Sequence, residues 1–283
     1  YEINESYFKS SLHQLLSYFL DFLNIYSDKL FIKKKFNTNC DIVISAGSTT
    51  YYINKYYAKI LNIPNIAIQL PRGYRLNFTK IICPKYDKPP KSNQILEINA
   101  NISFSNPKWF ESNIKSFKKR NLSTNKSIGI IIGGDSSKSK ISSTKLKNQL
   151  RKIIDLTPNY ERWITTSRRT PIDVEKMLND FNFEYKVIYS EDNFNPVPSF
   201  IHLCDYLFIT SDSSSMISEA ISSGDASVII IPVFHKNKFD KFNRFINYLV
   251  KKRFVSILDD KLKINNKKID TEKLIRDELK DIR

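Results

Sequence analysis

Two adjacent arginines are the side chains best suited to holding a phosphorylated ligand in this sequence. They stand in the motif Ser167-Arg168-Arg169-Thr170-Pro171. A guanidinium group binds phosphate oxygens in pairs, and proline is common in the first turn of a helix. The motif therefore predicts a strand end followed by a helix, with Ser167, Arg168 and Arg169 available to a phosphate. A surface ion pair is the alternative for either arginine.

A dense group of hydroxyl residues forms a second candidate site, in the motif Thr210-Ser211-Asp212-Ser213-Ser214-Ser215-Met216. It predicts the start of a helix, where free amides and the helix dipole favour an anion. Glu219 lies one to two turns further on, on the same side as Ser215, and its carboxylate is suited to accepting both hydroxyls of a ribose. An ordinary Asp/Ser helix cap is the alternative.

A third candidate loop contains the only adjacent pair among the six glycines of the chain, in Gly133-Gly134-Asp135-Ser136. Glycine lets backbone approach a ligand closely or adopt a positive φ. Gly134, Asp135 and Ser136 are therefore candidates for binding an anion through amides and a hydroxyl. The loop lacks the spacing of a P-loop or a dinucleotide fingerprint, and a tight turn is the alternative.

All three loops follow short apolar runs rich in β-branched residues, which alternate with helical segments between residues 127 and 257. This rhythm is typical of a parallel sheet covered by helices, whose ligands bind at the carboxyl ends of the strands. The predicted strands are 127–132, 163–166, 185–189, 206–210 and 227–233. The predicted helices are 145–156, 171–181, 198–204, 214–223 and 238–251.

A weaker α/β rhythm precedes this region and predicts a second domain. Its predicted strands are 41–45, 65–70, 80–83 and 94–98, with helices at 7–26 and 49–61, the first of them amphipathic. We expect an N-terminal domain at 1–118 that lacks its first strand, a polar linker within 99–126, and a C-terminal domain at 119–283. The last helix, 271–283, is expected to return to the first domain.

Composition narrows the class of partner. The formal net charge is +16, which attracts nucleic acid, an anionic membrane or a phosphorylated substrate. Lysine and arginine are scattered rather than grouped with aromatic residues, which disfavours nucleic acid. Three distant cysteines fit neither a disulfide framework nor a metal site and indicate a reducing, cytoplasmic location. No apolar run is long enough to cross a bilayer, and no secretory signal is visible.

The motifs together resemble the mitochondrial-fission ELM family of predicted nucleoside-diphosphosugar glycosyltransferases. The resemblance rests on the three loops above, with Ile132 and Ala220 at their ends, and on Pro71-Arg72, Asn195-Pro196 and Cys204-Asp205-Tyr206-Leu207. It implies an α/β fold of the GT-B type, with two Rossmann-like domains whose parallel sheets face across a cleft. Kdo transferases and nucleotide-sugar epimerases are similar to this group.

The resemblance also implies roles for individual residues. Arg168 or Arg169 would stabilise the leaving phosphate, which makes Arg169 a catalytic candidate. The remaining donor-binding residues would be Gly134, Asp135, Ser136, Ser167, Asp212, Ser213, Ser214, Ser215, Met216 and Glu219. Gly47, Ser48 and Arg72 would lie on the acceptor side. Asp87 is the candidate base, although relatives tend to have a His-Asp pair where this chain has Tyr86-Asp87.

The implied activity is transfer of a sugar from a nucleotide-sugar donor to an envelope or lipid-linked glycan. Since no Asp-x-Asp motif occurs, we expect a metal-independent reaction with no cofactor beside the donor, on the inner face of a membrane. Two alternatives keep the same fold. One is a non-catalytic adaptor at a membrane surface, and the other is a nucleotide-sugar epimerase.

Overall fold

The computed structural model describes residues 6–33, 40–103, 107–121, 123–236, 241–264 and 267–280. The chain divides into two compact units, Tyr1–Asn99 with Glu272–Arg283 and Ala100–Thr271, called unit 1 and unit 2 below. Each unit is built on a parallel sheet with helices beside it, so the predicted α/β class with two parallel-sheet domains is confirmed.

Unit 1 contains a four-stranded parallel sheet in the order β3-β4-β5-β6. A separate antiparallel ribbon pairs β1 with β2. The strands are β1 Tyr7–Phe8, β2 Phe31–Ile32, β3 Val43–Ala46, β4 Asn65–Ile68, β5 Lys80–Pro84 and β6 Ile95–Ile98. The helices are α1 Ser11–Phe22 and α2 Tyr51–Leu61.

Unit 2 contains a six-stranded parallel sheet in the order β10-β9-β7-β11-β12-β14, and β8 pairs antiparallel with β13. Its strands are β7 Ser127–Ile132, β8 Ser139–Lys140, β9 Glu161–Thr166, β10 Tyr185–Val187, β11 Tyr206–Thr210, β12 Ser227–Ile231, β13 Phe234–His235 and β14 Ser256–Ile257. Its helices are α3 Pro107–Lys118, α4 Ser143–Leu156, α5 Ile172–Met177, α6 Val197–Leu203, α7 Ser214–Ser222 and α8 Lys241–Lys251.

The cores follow from the residue pattern of these elements. Strands β7 and β12 are buried along their whole length, as expected of central strands with helices on both faces. Aromatic residues of α2, led by Tyr51 and Tyr52, dominate the core of unit 1. The last helix, α9 Thr271–Leu279, also packs on unit 1, where Ile275 and Leu279 contact a cluster centred on Ile66.

The predicted polar linker differs from the structure. It contains α3, which buries Phe110 and Phe117 in unit 2, and the Phe117 ring packs on those of Trp163 and Phe200. Because this helix belongs to unit 2, the units divide after Asn99 rather than at residue 118. Two short pairings, β1 with β2 and β8 with β13, were not predicted, since two residues are too few to show alternation.

Some ends of predicted elements lie outside the described residues. The predicted helix 238–251 is seen from Lys241 onward, and the final three residues of 271–283 are not described. Cys40, Cys83 and Cys204 are free thiols, and burial raises the pKa of Cys83 to about 12. Within the described part of the chain, no helix is both long and apolar enough to span a bilayer.

Candidate functional site

Three loops of unit 2 follow neighbouring strands and meet at one edge of the sheet. The glycine loop, Gly133-Gly134-Asp135-Ser136, follows β7. The arginine loop, Ser167-Arg168-Arg169-Thr170, follows β9, and the serine loop, Ser211-Asp212-Ser213, leads from β11 into α7. Because β9, β7 and β11 are adjacent and parallel, their carboxyl ends lie side by side.

The two glycines make room for the other two loops of the same unit. A Cβ atom on Gly133 would lie 2.3 Å from Asp212 Oδ2, and one on Gly134 would lie 2.1 Å from the carbonyl carbon of Arg169. The Gly134 amide donates to Asp212 Oδ2 at 2.9 Å, and the Asp135 amide donates to the Arg169 carbonyl at 3.0 Å. Close approach of the Asp212 side chain therefore explains Gly133, and close approach of the Arg169 backbone explains Gly134.

Asp212 connects the glycine loop and the arginine loop. Its side chain is fully buried, and burial raises the pKa of its carboxyl. Oδ2 accepts from the Gly134 amide and from Arg169 Nη2 at 3.5 Å. Oδ1 has no hydrogen-bond partner among the described residues. The carboxylate thus holds the glycine and arginine loops together, while lying away from solvent.

The two arginines of this loop differ in the partners of their side chains. Arg169 Nη1 donates to the Asp135 carbonyl at 3.3 Å, and its other terminal nitrogen contacts Asp212, so this side chain joins all three loops. Arg168 is exposed and has no hydrogen bond or ion pair within the described ranges. Its guanidinium is therefore free to bind an anion, whereas that of Arg169 already serves the loops.

Arg168 lines a cavity of about 330 Å³ at the carboxyl ends of β7 and β9. The wall combines apolar, aromatic, amide and hydroxyl side chains with a single carboxylate. Its members are Ile131, Thr165, Thr166, Ser167, Arg168, Tyr189, Asn193, Phe194, Asn195, Pro196, Val197, Met216 and Glu219. Four residues singled out in the sequence, Ser167, Arg168, Met216 and Glu219, thus share one cavity. The volume suits part of a nucleotide.

Glu219 is the unpaired carboxylate of this cavity. It lies half-buried on α7, and no hydrogen bond or ion pair of its side chain occurs in the part of the chain that the structure describes. Burial alone raises its pKa from 4.5 to about 6. An ionised carboxylate that is desolvated and lacks a partner lowers the stability of the fold. Glu219 is therefore a candidate ligand-binding group.

Most serine hydroxyls of the predicted phosphate site are occupied within unit 2. Ser213 Oγ accepts from the Met216 amide and caps α7. Ser214 Oγ accepts from Asn101 Nδ2 at 3.2 Å, and Ser136 Oγ lies 2.7 Å from Ser139 Oγ. Ser215 is exposed, and its hydroxyl makes no hydrogen bond among the described residues. Among Ser213, Ser214 and Ser215, Ser215 is thus the one whose hydroxyl has no partner among the described residues.

Asp135 is tied into the glycine loop. Its Oδ1 accepts from the Ile141 amide at 2.9 Å, and its Oδ2 forms an ion pair with Lys140 at 2.8 Å. Burial acts to raise the pKa of this carboxyl, but these contacts outweigh it and hold the pKa below its usual range. The side chain is therefore ionised and fixes the turn of the loop.

The predicted acceptor-side residues lie at the carboxyl ends of strands in unit 1. Gly47 follows β3 with φ 93°, and the carbonyl of Ser48 accepts from the Tyr74 hydroxyl at 2.9 Å. Arg72 follows β4, Asp87 follows β5, and Arg72 Nη2 lies 3.6 Å from Asp87 Oδ1. Arg72 and Asp87 therefore form a pair, and Asp87 is mostly buried.

A family match covers both units. The family described as Mitochondrial fission ELM1 matches residues 17–280. The chain belongs to the mitochondrial fission ELM1 family. This match confirms the resemblance that the loop motifs indicated. A separate comparison with curated proteins found no match.

Several solved structures are similar to this ELM1-family chain. One is a candidate UDP-N-acetylglucosamine 2-epimerase from Listeria monocytogenes, with TM-score 0.47, 12% identity, and coverage of 94% of this chain and 76% of that one. Another is the E. coli ADP-heptose lps heptosyltransferase II, with TM-score 0.42, 10% identity, and coverage of 78% and 66%. A third is S. aureus MnaA with UDP, with TM-score 0.38, 10% identity, and coverage of 92% and 75%.

The sequence pattern did not indicate the aromatic residues that line this cavity. Tyr189 and Phe194 line it, and the Phe194 ring lies 4.2 Å from the guanidinium carbon of Arg120. The signal available in the sequence was the segment after β10, where asparagine and proline mark a loop at a strand's carboxyl end. Within that loop, Asn195-Pro196 contributes to the family resemblance, and no pattern in the sequence assigned the aromatic residues to a site.

The raised pKa of Glu219 predicts a measurable effect on stability. A pKa of about 6 against 4.5 means that ionising this carboxyl costs the fold about 2 kcal/mol. The cost is absent below pH 4.5, grows as the pH rises to about 6, and is constant above. We expect Glu219→Gln to raise the free energy of unfolding by about 2 kcal/mol at pH 8 and by much less at pH 5. Urea unfolding at both values measures this.

The exposed Glu191 offers a matched control on the neighbouring loop. Glu191→Gln is expected to change the free energy of unfolding by less than about 0.5 kcal/mol at either pH. Equal behaviour of the two variants would mean that Glu219 is not held in a desolvated site.

Proposed function

We propose that this protein is a glycosyltransferase whose nucleotide-sugar donor binds with its nucleoside in the 330 Å³ cavity of unit 2. One observation carries the proposal. The cavity places a free guanidinium, Arg168, and a desolvated carboxylate without a described partner, Glu219, at the carboxyl edge of a parallel sheet. The hydroxyls of a ribose can donate hydrogen bonds to this carboxylate, and a phosphate can pair with this guanidinium.

Each wall of the cavity suits one part of a nucleotide. The ionised Glu219 accepts both ribose hydroxyls, which relieves its lack of partners. Arg168 binds the diphosphate, together with Ser215 and the amides at the start of α7. The base lies against Tyr189, Phe194 and Met216, since aromatic and thioether groups offer it a flat apolar contact.

The proposed chemistry is sugar transfer with the nucleoside diphosphate as leaving group. The bond between the sugar and the diphosphate breaks, the acceptor hydroxyl forms the new bond, and a base takes its proton. Arg168 and Arg169 neutralise the charge that develops on the diphosphate, in place of a metal ion. Asp87 is the proposed base and Arg72 its partner, with Gly47 and Ser48 beside the acceptor. The donor is the only small molecule required.

We further propose that the acceptor is an envelope or lipid-linked glycan at the cytoplasmic face of a membrane. The formal charge of +16 supports this, because it favours an anionic surface and a phosphorylated substrate alike. Nucleic acid is not among the proposed partners, since the positive charge is spread along the whole chain.

Arg168→Gln is expected to weaken nucleotide binding strongly. The Arg168 side chain makes no described hydrogen bond or ion pair, so the variant leaves the loops intact. It removes one charged hydrogen-bond partner of the phosphate. Such a loss costs about 1.5 to 3 kcal/mol, or a factor of about 10 to 150 in affinity.

A thermal-shift screen of nucleoside diphosphates and their sugars identifies the ligand. A ligand at about 100 times its dissociation constant adds about 2.7 kcal/mol to the free energy of unfolding. Calorimetry then compares the variants.

Arg151, exposed on α4, provides the matched control. Arg151→Gln should bind the selected nucleotide as the unchanged protein does. Nucleotide binding that survives Arg168→Gln undiminished would place the phosphate elsewhere. Analysis of the products without acceptor separates the reactions, because an epimerised donor would replace the proposed transferase with an epimerase.

A further inference from the structure

Helix α1 exposes a stripe of apolar side chains, while its inner face combines buried polar residues with Tyr18 and Leu20, which pack on the core of unit 1. Ser17 and Asp21 are the buried residues of the helix. The exposed stripe recurs at helical spacing and its side chains are 43% to 74% exposed. It consists of Leu12, Leu15, Leu16, Phe19, Phe22 and Leu23. Single exposed apolar residues are common on proteins, but a continuous stripe marks an interaction surface.

Buried polar contacts fix this orientation. Ser17 Oγ lies 2.9 Å from the Tyr74 hydroxyl. Asp21 accepts from Lys55 Nζ at 2.7 Å, from the Tyr26 hydroxyl at 2.9 Å and from the Arg75 amide at 2.7 Å. Turning the stripe inward would leave these groups buried without partners, which is costly. The apolar side is therefore held outward by the structure of unit 1.

Exposed apolar residues also occur on the β1–β2 ribbon, whose first strand contacts α1. Tyr7 of β1 and Ile32 of β2 stand directly opposite each other, and both are exposed. The Lys9 amide donates to the Leu30 carbonyl, which joins the ribbon to the start of α1. Exposed apolar side chains are thus found on the ribbon as well as on the helix, and one of them, Tyr7, is an aromatic residue with a polar tip, a type favoured at membrane interfaces.

Lysines outnumber carboxylates in the segments that flank α1, and the partly exposed Asp28 there forms an ion pair with Lys33. Lys9, Lys29 and Lys59 are exposed, and Lys59 Nζ lies 5.5 Å from the centre of the Tyr26 ring. The one carboxylate of α1, Asp21, is buried and paired with Lys55. Helix α1 therefore exposes no negative charge, and exposed lysines occur in the segments directly before and after it and on α2, which contacts it.

We propose that α1 and the β1–β2 ribbon dock on a lipid bilayer that contains anionic lipids, with the apolar stripe in the interfacial layer. A helix with an apolar face and a cationic border binds such a surface by burial of apolar area and by attraction to the headgroups. Two copies of this chain would instead bring like charges together, since each carries a formal charge of +16. This surface is independent of the nucleotide site.

Flotation with lipid vesicles tests the proposal. The probes are vesicles of phosphatidylcholine alone and of phosphatidylcholine with about a third phosphatidylglycerol, at low and high salt. We expect the protein to float with the anionic vesicles, and Leu15→Gln with Phe19→Gln to lower the bound fraction at least tenfold. Lys9→Gln with Lys29→Gln should lower binding to anionic vesicles while leaving weak binding to neutral ones.

A matched control replaces equally exposed apolar residues of unit 2, as Ile172→Gln with Ile264→Gln, and should float unchanged. Nucleotide affinity should be the same in all these variants, so that failure of this proposal is distinct from failure of the proposed function. Vesicle binding that survives Leu15→Gln with Phe19→Gln would overturn the proposal. So would a soluble dimer of the unchanged protein that this double variant dissociates.

Discussion

Replacing Lys55 by methionine is expected to lower the free energy of unfolding by about 3 to 5 kcal/mol, because it leaves the buried charge of Asp21 without its counterion. The Lys55 and Asp21 side chains are 2% and 0% exposed, and Lys55 Nζ also donates to the Arg75 carbonyl at 2.8 Å. Its ammonium lies over the Phe78 ring at 4.7 Å. Equilibrium unfolding in urea measures the change.

Lys59 on the same helix is the matched control, since it is exposed. Lys59→Met should change the free energy of unfolding by no more than about 0.5 kcal/mol. Adding Asp21→Asn to Lys55→Met should recover part of the loss, because the uncompensated charge disappears while the contacts to Tyr26 and Arg75 remain available. A Lys55→Met protein as stable as Lys59→Met would mean that the pair does not hold α1 in place.

The sequence predicted the strands of unit 2 well where burial alone decides them. Strands β7 and β11 begin and end as predicted, since their apolar runs stop at glycine or at a hydroxyl cluster. Convergence of the three loops also follows from the sequence, because adjacent parallel strands bring their carboxyl ends together. Arg168 and Glu219 could therefore be paired in advance, although they are 51 positions apart in the sequence.

Other features depend on contacts that no local pattern encodes. The segment 7–26 has the spacing of an amphipathic helix, but periodicity does not say which side faces inward. The tertiary partners of Asp21 and Ser17, together with the packing of Tyr18 and Leu20 on the core, hold the apolar stripe of α1 outward. Helix α3 was interpreted as linker because its polar residues are frequent, whereas Phe110 and Phe117 anchor it to unit 2.

The serine and glycine loops show the same limit at the site. Hydroxyl-rich sequence at a helix start indicates anion binding, yet Ser213 caps its own helix and Ser214 contacts Asn101. Residue types reveal which groups are present, and the fold decides which of them already have partners. The glycine pair was expected to admit a ligand or form a turn, while in the structure it admits Asp212 and the backbone of Arg169.

Gly134→Ala should separate the glycine loop from the arginine loop, and so lower both stability and nucleotide affinity. The new Cβ would lie 2.1 Å from the carbonyl carbon and oxygen of Arg169, and backbone cannot swing aside as a flexible side chain can. Relief requires the loops to part, which breaks the bond from the Asp135 amide to the Arg169 carbonyl and the bond from the Gly134 amide to Asp212.

Two costs add in this variant. Overpacking costs about 1 to 3 kcal/mol, and the buried Asp212, whose other oxygen has no described partner, would lose the Gly134 amide as a donor. We expect the free energy of unfolding to fall by about 2 to 4 kcal/mol, and nucleotide affinity to fall more than tenfold because Arg168 moves with its loop. Urea unfolding and calorimetry measure the two effects. The exposed Ser137, which directly follows the glycine loop, gives the control. Equal effects of Gly134→Ala and Ser137→Ala in both measurements would show that this glycine does not hold the two loops together.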